Sequence, residues 1–213
     1  MLCFVVALRP EARPLLDRYR LEPLADRPFR IYRRDDLALV ISGIGKVAAG
    51  AATAYLQAHL RSTSERPLAW LNVGVAGHGR RPVGEAVLAE TVRDDGSGRS
   101  WRLPIPFDAP VATSGIVTVD RVERTFAEPV VYDMEAAGFV ATARRFAPAE
   151  LVQCLKVVSD GPGMVPEDLT RERLFELVAG RLDDVAAVAE ALTDALGRHV
   201  AGRNITLDGA YRA

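Results

Sequence analysis

Residues 2–8, 68–73 and 151–158 are three apolar runs without the polar alternation of a strand that has one wet face. Such runs fit strands covered on both sides, because side chains on either face of the pleat then meet apolar neighbours. Between the first two lies the alanine-rich stretch 46–60, whose composition favours helix. Pro10 suits the first turn of a helix running towards Tyr19. Strands alternating with helices predict an α/β fold, a three-layer α/β/α sandwich with a mixed, mostly parallel central sheet. With 213 residues and 49% hydrophobic content, the chain has material for one large core, so residues 1–213 are expected to form a single domain.

The remaining elements are fainter. Residues 29–33 and 37–42 read as a hairpin across Arg34-Asp35-Asp36. Residues 85–92 read as a strand, 93–100 as a loop, 115–119 and 129–132 as short strands, and 134–146 as a helix. A strand at 68–73 is expected to end in the glycine-rich Gly74-Val75-Ala76-Gly77-His78-Gly79, with His78 in the loop. Pro162 and Pro166 break the chain before a helical stretch over 167–196.

Charge excludes several function classes. The 27 basic and 28 acidic residues leave a net charge of -1, so neither nucleic acid nor an anionic membrane is an expected partner. Cys3 and Cys154 lie inside apolar runs and read as small core residues of a reduced intracellular protein. The three histidines show no metal-ligand spacing, and neither metal nor cofactor is expected. The first apolar run is followed at once by Arg9-Pro10-Glu11, unlike a signal peptide, and no run approaches the roughly 20 residues that span a bilayer. The expected location is the cytoplasm.

Ligands of parallel sheets gather beyond the carboxyl ends of the strands, which here means around Glu11, Gly74 and Asp160. Each acid has a plainer reading. Glu11 and Glu135 stand where carboxylates favour helix starts, with Asp133 as a cap, and Ser159-Asp160 fits a strand-to-loop turn. Met134 and Ile44 fit a core, and Lys46 a solvated helix start. Together the acids suit the cleavage of an N-glycosidic bond, where positive charge grows on the sugar as the base leaves. An acid beside the base and a carboxylate beside the water then address both sides of the barrier.

Four motifs in series, Ser42-Gly43-Ile44-Gly45-Lys46-Val47, Asn72-Val73-Gly74-Val75-Ala76-Gly77, Asp133-Met134-Glu135-Ala136 and Val158-Ser159-Asp160, resemble the nucleoside phosphorylase/nucleosidase superfamily. The similarity is greatest to 5'-methylthioadenosine/S-adenosylhomocysteine nucleosidases, over residues 1–160 and the following helix. Residues 197–213 match no motif. The resemblance implies a purine nucleoside phosphorylase-like fold, a small-molecule nucleoside substrate, no cofactor, and a homodimer or larger assembly. It assigns Asp160 as the acid protonating the purine at N7 and Glu11 as the carboxylate that positions and deprotonates water. Glu135 would hold the ribose hydroxyls and Met134 would pack on the sugar, while Ile44, Val75, Ala76, Gly77, Val122 and Ser159 would line the substrate pocket.

Departures from the family pattern bear on the activity. Val75 stands where relatives carry a small hydroxyl residue, Lys156 replaces an arginine, and Gly161-Pro162-Gly163 follows Asp160 in place of a second acid. Val122 stands where adenine-specific relatives supply an aromatic, leaving Trp101 or Phe107 as candidates for an aromatic wall. The leading expectation is hydrolysis of an adenine nucleoside of the methylthioadenosine or adenosylhomocysteine type. The alternatives are a phosphate-dependent phosphorylase, although no Gly-Asp-Pro-x-x-Arg loop is present, and a nucleoside-binding protein without turnover. A nucleosidase acting on an adenosyl lipid or a futalosine-like compound also fits.

Overall fold

A computed structural model describes residues 1–61, 67–164 and 169–210. The order is β1 (Leu2–Val6), α1 (Arg9–Tyr19), β2 (Glu22–Ala25), β3 (Arg30–Arg34), β4 (Leu37–Ile41), α2 (Lys46–Arg61), β5 (Ala69–His78) and β6 (Ala86–Asp94). There follow β7 (Ser100–Arg102), β8 (Ala112–Thr118), β9 (Val131–Asp133), α3 (Ala136–Ala143), a 3-10 turn (Ala149–Leu151), β10 (Val152–Asp160), α4 (Arg171–Ala179) and α5 (Leu182–Ala210).

The apolar runs become interior strands. β1 lies between β4 and β5, parallel to both, with Val5 opposite Val40 and Asn72, and all five of its residues are buried. β10 runs parallel to β5 on its other side. The sheet is mixed, as expected, and most of its paired residues lie in the parallel ladders of β1 with β4 and β5, β5 with β10, and β8 with β6 and β9; antiparallel pairing joins β2 with β3, β3 with β4, β5 with β9, and β6 with both β7 and β10. Short connections account for β2 with β3, β3 with β4 and β6 with β7, since a hairpin can only return antiparallel, whereas β5 with β9 and β6 with β10 join strands far apart in sequence. β5, β10, β6, β8 and β9 form an unbroken cycle of pairings, because β9 returns to β5.

β5 does not stop at Val73. It continues through the glycine-rich stretch, with Gly74 opposite Lys156 and Gly77 opposite both Asp160 and Tyr132. His78 is therefore the buried last residue of a strand, and its Nδ1 accepts the amides of Arg80 and Arg81, each at 2.9 Å. The stretch 134–146 is helical only over Ala136–Ala143, and the long C-terminal stretch divides into α4 and α5 near Gly180. Pro166 and the expected start at 167 lie outside the described residues.

The helices form two packed sets, α1 with α4 and α5, and α2 with α3, and both sets contact the sheet. Gly138 makes the second crossing possible, since a Cβ there would lie 1.8 Å from the Lys46 carbonyl oxygen. Lys46 is not simply solvated: its Nζ lies 2.7 Å from Asp94 and 3.0 Å from Asp120, tying the start of α2 to the end of β6 and to the loop after β8. Cys3 and Cys154 are fully buried and unpaired, and burial pushes the Cys3 thiol up to about 12. Among the described residues, no helix is long and apolar enough to cross a membrane.

Candidate active site

A cavity of about 270 Å³ opens beyond the carboxyl ends of β1, β5 and β10. Its lining includes Glu11, Ile44, Val75, Ala76, Gly77, Val122, Met134, Glu135, Ser159 and Asp160, which are all ten residues singled out in the sequence.

Glu11 stands in the first turn of α1, yet it is not a solvated helix-start carboxylate. Only 3% of its surface is exposed; Oε2 accepts the Leu8 amide at 2.8 Å and Oε1 the Val75 amide at 2.9 Å. Burial raises its pKa from 4.5 to about 7, against the pull of the Val75 amide and of Lys156. Val75 thus serves the acid through its backbone. Gly74 keeps the space open, since a Cβ there would lie 3.1 Å from Glu11 Oε1.

Behind the cavity lies a charge pair that sequence reasoning missed. Lys156 Nζ is 2.8 Å from Asp133 Oδ2, and both side chains are buried. Asp133 also accepts the Thr118 hydroxyl at 2.6 Å and the amides of Ala136 at 2.7 Å and Glu135 at 3.3 Å. Thr118 Oγ1 in turn accepts the Ala137 amide at 3.0 Å. The start of α3 is thereby fixed, and with it Glu135, whose Oε1 accepts the Gly45 amide at 2.8 Å just before α2. Asp133 thus caps the start of α3 and Glu135 faces the start of α2, where negative charge is favoured. Burial raises the Glu135 pKa, Lys156 opposes that shift, and Asp133 adds to it. The only sequence signal for this pair was a lysine inside an apolar run, since a buried ammonium needs a carboxylate partner.

Asp160 ends β10 just after an irregularity in its pairing with β5. Its Oδ1 accepts the Ser159 hydroxyl, while Oδ2 would lie 2.9 Å from a Cβ on Gly77. The same Cβ would lie 2.7 Å from the Phe126 ring, so glycine is required where the ring and the acid converge. Phe126 is the aromatic beside Asp160 in this cavity, and within this chain Trp101 and Phe107 pack against the main hydrophobic core and do not line it. The Phe126 backbone is left-handed, at φ +48, and its ring meets Tyr132 edge-on at 5.8 Å. Glu123 holds this turn, its Oε1 accepting the amides of Arg124 at 2.9 Å, Thr125 at 2.5 Å and Phe126 at 3.2 Å. Nothing in the sequence around Phe126 marks an aromatic in so uncommon a conformation.

The lining residues include four acids, Glu11, Glu123, Glu135 and Asp160, with the Asp133 carboxylate paired to Lys156 behind them, and among the described residues no lysine or arginine lines the cavity. Such a chamber disfavours an anion. Among the described residues, no group of three His, Cys, Asp or Glu is placed to hold a metal ion.

Sheet order and cavity together give the chain the nucleoside phosphorylase/nucleosidase fold. It is similar to the 5'-methylthioadenosine/S-adenosylhomocysteine nucleosidase of S. pneumoniae solved with a transition-state inhibitor: the TM-score is 0.70 at 18% identity, over 90% of this chain and 99% of that chain. The Arabidopsis thaliana 5'-methylthioadenosine nucleosidase gives 0.72 at 18% identity, over 90% of this chain and 95% of that one. The futalosine hydrolase of Helicobacter pylori gives 0.71 at 14% identity, over 91% and 97%. No protein-family profile matches the chain, and no curated protein does.

Proposed function

We propose that the protein is a cytoplasmic N-glycosyl hydrolase, one domain over residues 1–213, that cleaves an adenine nucleoside with a 5'-thio arm, of the methylthioadenosine or adenosylhomocysteine type. The observation that carries this reading is the meeting of Glu11, Glu135 and Asp160 in one cavity whose described lining holds no lysine or arginine. Phe126 stacks on the base and Asp160 gives a proton to N7, so the C1'–N9 bond breaks with a better leaving group. Glu135 holds the ribose hydroxyls and Met134 covers the sugar face, while the surrounding carboxylates favour the charge growing at C1'. Glu11 takes a proton from water as the water oxygen bonds to C1'. A base with a pKa of about 7 is suited to that step near neutrality. Positioned proton transfers of this kind contribute about 10²–10⁴ each.

Water is favoured over phosphate because a phosphate nucleophile would face these carboxylates with no arginine or lysine in the described lining. Methylthioadenosine incubated with the protein in phosphate-free buffer should release adenine and methylthioribose, and Asp160→Asn should abolish the release. Strictly phosphate-dependent release would establish the phosphorylase instead. Adenosine analogues that bind without any release, unaffected by Asp160→Asn, would establish a binding protein. We also propose a homodimer or larger assembly, because Ile44 and Val122 at the cavity and Val47 nearby on α2 expose large apolar side chains. Sedimentation should then give at least twice the 23.1 kDa chain mass.

A further inference from the structure

Lys46 stands where three parts of the site meet. It follows Gly45, whose amide is bonded to Glu135, and its own carbonyl lies against Gly138 in the first turn of α3. Its side chain leaves this junction for the opposite side of the cavity: Nζ lies 2.7 Å from Asp94 Oδ1 at the end of β6 and 3.0 Å from Asp120 Oδ1 in the loop after β8. Asp120 opens the loop that brings Val122, Glu123 and Phe126 to the cavity. One side chain therefore joins the turn that bonds Glu135 to the loop that carries the aromatic ring.

The two carboxylates differ in how firmly they are placed. Asp94 is the fixed end: Oδ2 accepts the Ser97 hydroxyl at 2.5 Å, its amide donates to the Arg99 carbonyl and its carbonyl accepts the Gly98 amide, each at 2.8 Å. Asp120 is the end that needs holding, because residues 119–130 contain no helix or strand between β8 and β9. An ammonium has donors enough for both at once. Gly96 lets the β6–β7 turn close over the pair, since a Cβ there would lie 3.1 Å from Lys46 Nζ and 3.2 Å from Asp120 Oδ2. A loop that is not already in place must be ordered when a ligand binds, and the apparent affinity falls by that cost.

Resting on the nucleosidase reading above, we propose that Lys46 is a positioning residue: through Asp120 it holds the loop of Val122, Glu123 and Phe126 against the base, and through Gly45 it keeps that loop in register with the carboxylate that holds the ribose. The ammonium is not among the residues lining the cavity, so it acts only through its partners. Its contribution falls on binding and leaves the bond-breaking step alone. Salt reaches the tie, because 23% of the Lys46 side chain and 65% of the Asp120 side chain are exposed. Methylthioadenosine carries no charge to be screened, so a salt-dependent KM reports the protein's own ion pair.

The test is a double-mutant cycle read in steady-state kinetics with methylthioadenosine. At low salt, Lys46→Met and Asp120→Asn should each raise KM about fivefold with kcat within about twofold of wild type, and the double variant should raise KM no further. As salt increases to about 1 M, the wild-type KM should climb to the level of the variants while theirs stays flat. An Asp120→Asn KM equal to that of wild type, or single effects that add in the double variant, overturns the proposal while leaving the nucleosidase intact. Asp120 is exposed, so Asp120→Asn and the salt series carry the test even where Lys46→Met does not fold. If the wild type cleaves nothing, the activity reading fails, and calorimetric dissociation constants for methylthioadenosine across the same variants and salts decide the tie by the same criterion. Absence of any binding overturns both.

Discussion

At the scale of single residues, the proposed mechanism has Glu11 couple activity and stability to pH in opposite directions. Its pKa is 4.5 in the ordinary state and about 7 in the fold, so between those values the folded chain holds a proton that the unfolded chain has lost. The stability tied to this group is fully present below pH 4.5 and is lost as pH rises through about 7. The loss is about 3 kcal/mol. Relative to Glu11→Gln, the wild-type unfolding free energy should fall by about that amount between acid and mildly alkaline pH, as read by urea unfolding. In the proposed reaction catalysis runs the other way, because only the ionised carboxylate takes a proton from water. The wild-type kcat/KM should climb as pH passes about 7, and Glu11→Gln should lose about 10²–10⁴ in kcat/KM together with that acidic limb. Lys156 supports both properties. Lys156→Met strands the Asp133 carboxylate in the interior at a cost of about 3–5 kcal/mol. The limb assigned to Glu11 should also shift to higher pH, since Lys156 is one of the charges that holds its pKa down.

Between elements, the site depends on how closely α2 and α3 approach. Gly138 of α3 lies against the carbonyl of Lys46, and a Cβ on Gly50 of α2 would lie 3.2 Å from the Gly138 oxygen. Backbone cannot swing aside as a flexible side chain can. Gly138→Ala must therefore move the start of α2, where the Gly45 amide meets Glu135, at a cost of about 3 kcal/mol. Thermal unfolding should register a fall of about 10 °C. Gly197 is the contrasting case, an exposed glycine in α5 with nothing within 4 Å of an added Cβ. Gly197→Ala should stabilise the chain by about 0.5–1 kcal/mol, because alanine loses less freedom on entering a helix. Glu123 does comparable positioning for a loop. Glu123→Gln weakens the turn that holds Phe126 left-handed and should raise KM for the nucleoside more than it lowers kcat, as steady-state kinetics would show.

For the molecule as a whole, the interior was legible from sequence and the margins were not. β1, β5 and β10 announce themselves because burial on both faces leaves no room for polar residues. β2 contains Pro23 and exposed residues, and β7 has three residues, so neither carries an apolar signal. Gly74 to His78 has the composition of a turn, and only pairing with two other strands makes it extended. The three acids stood out only in combination, through their places at the ends of strong elements and the resemblance of four motifs in series, since each alone fits a helix start or a turn. The partners of Lys46 and Lys156 were not legible, because no local pattern marks contacts this distant in sequence. A tight-binding nucleoside analogue at about 100 times its Kd should raise stability by about 2.7 kcal/mol and the melting temperature by about 5–10 °C. The cycle of strands carries a consequence for biosynthesis. Leu155 of β10 stands opposite both Val73 and Leu88, so β5 and β6 are joined by a strand made after every other strand of the sheet. A ribosome that has not yet released residues 152–160 from its tunnel holds a chain whose central ladders are unfinished and whose edges can pair with a stranger. Stalled nascent chains should stay protease-sensitive until that segment emerges, and the chamber with its three acids is then completed in a single late event.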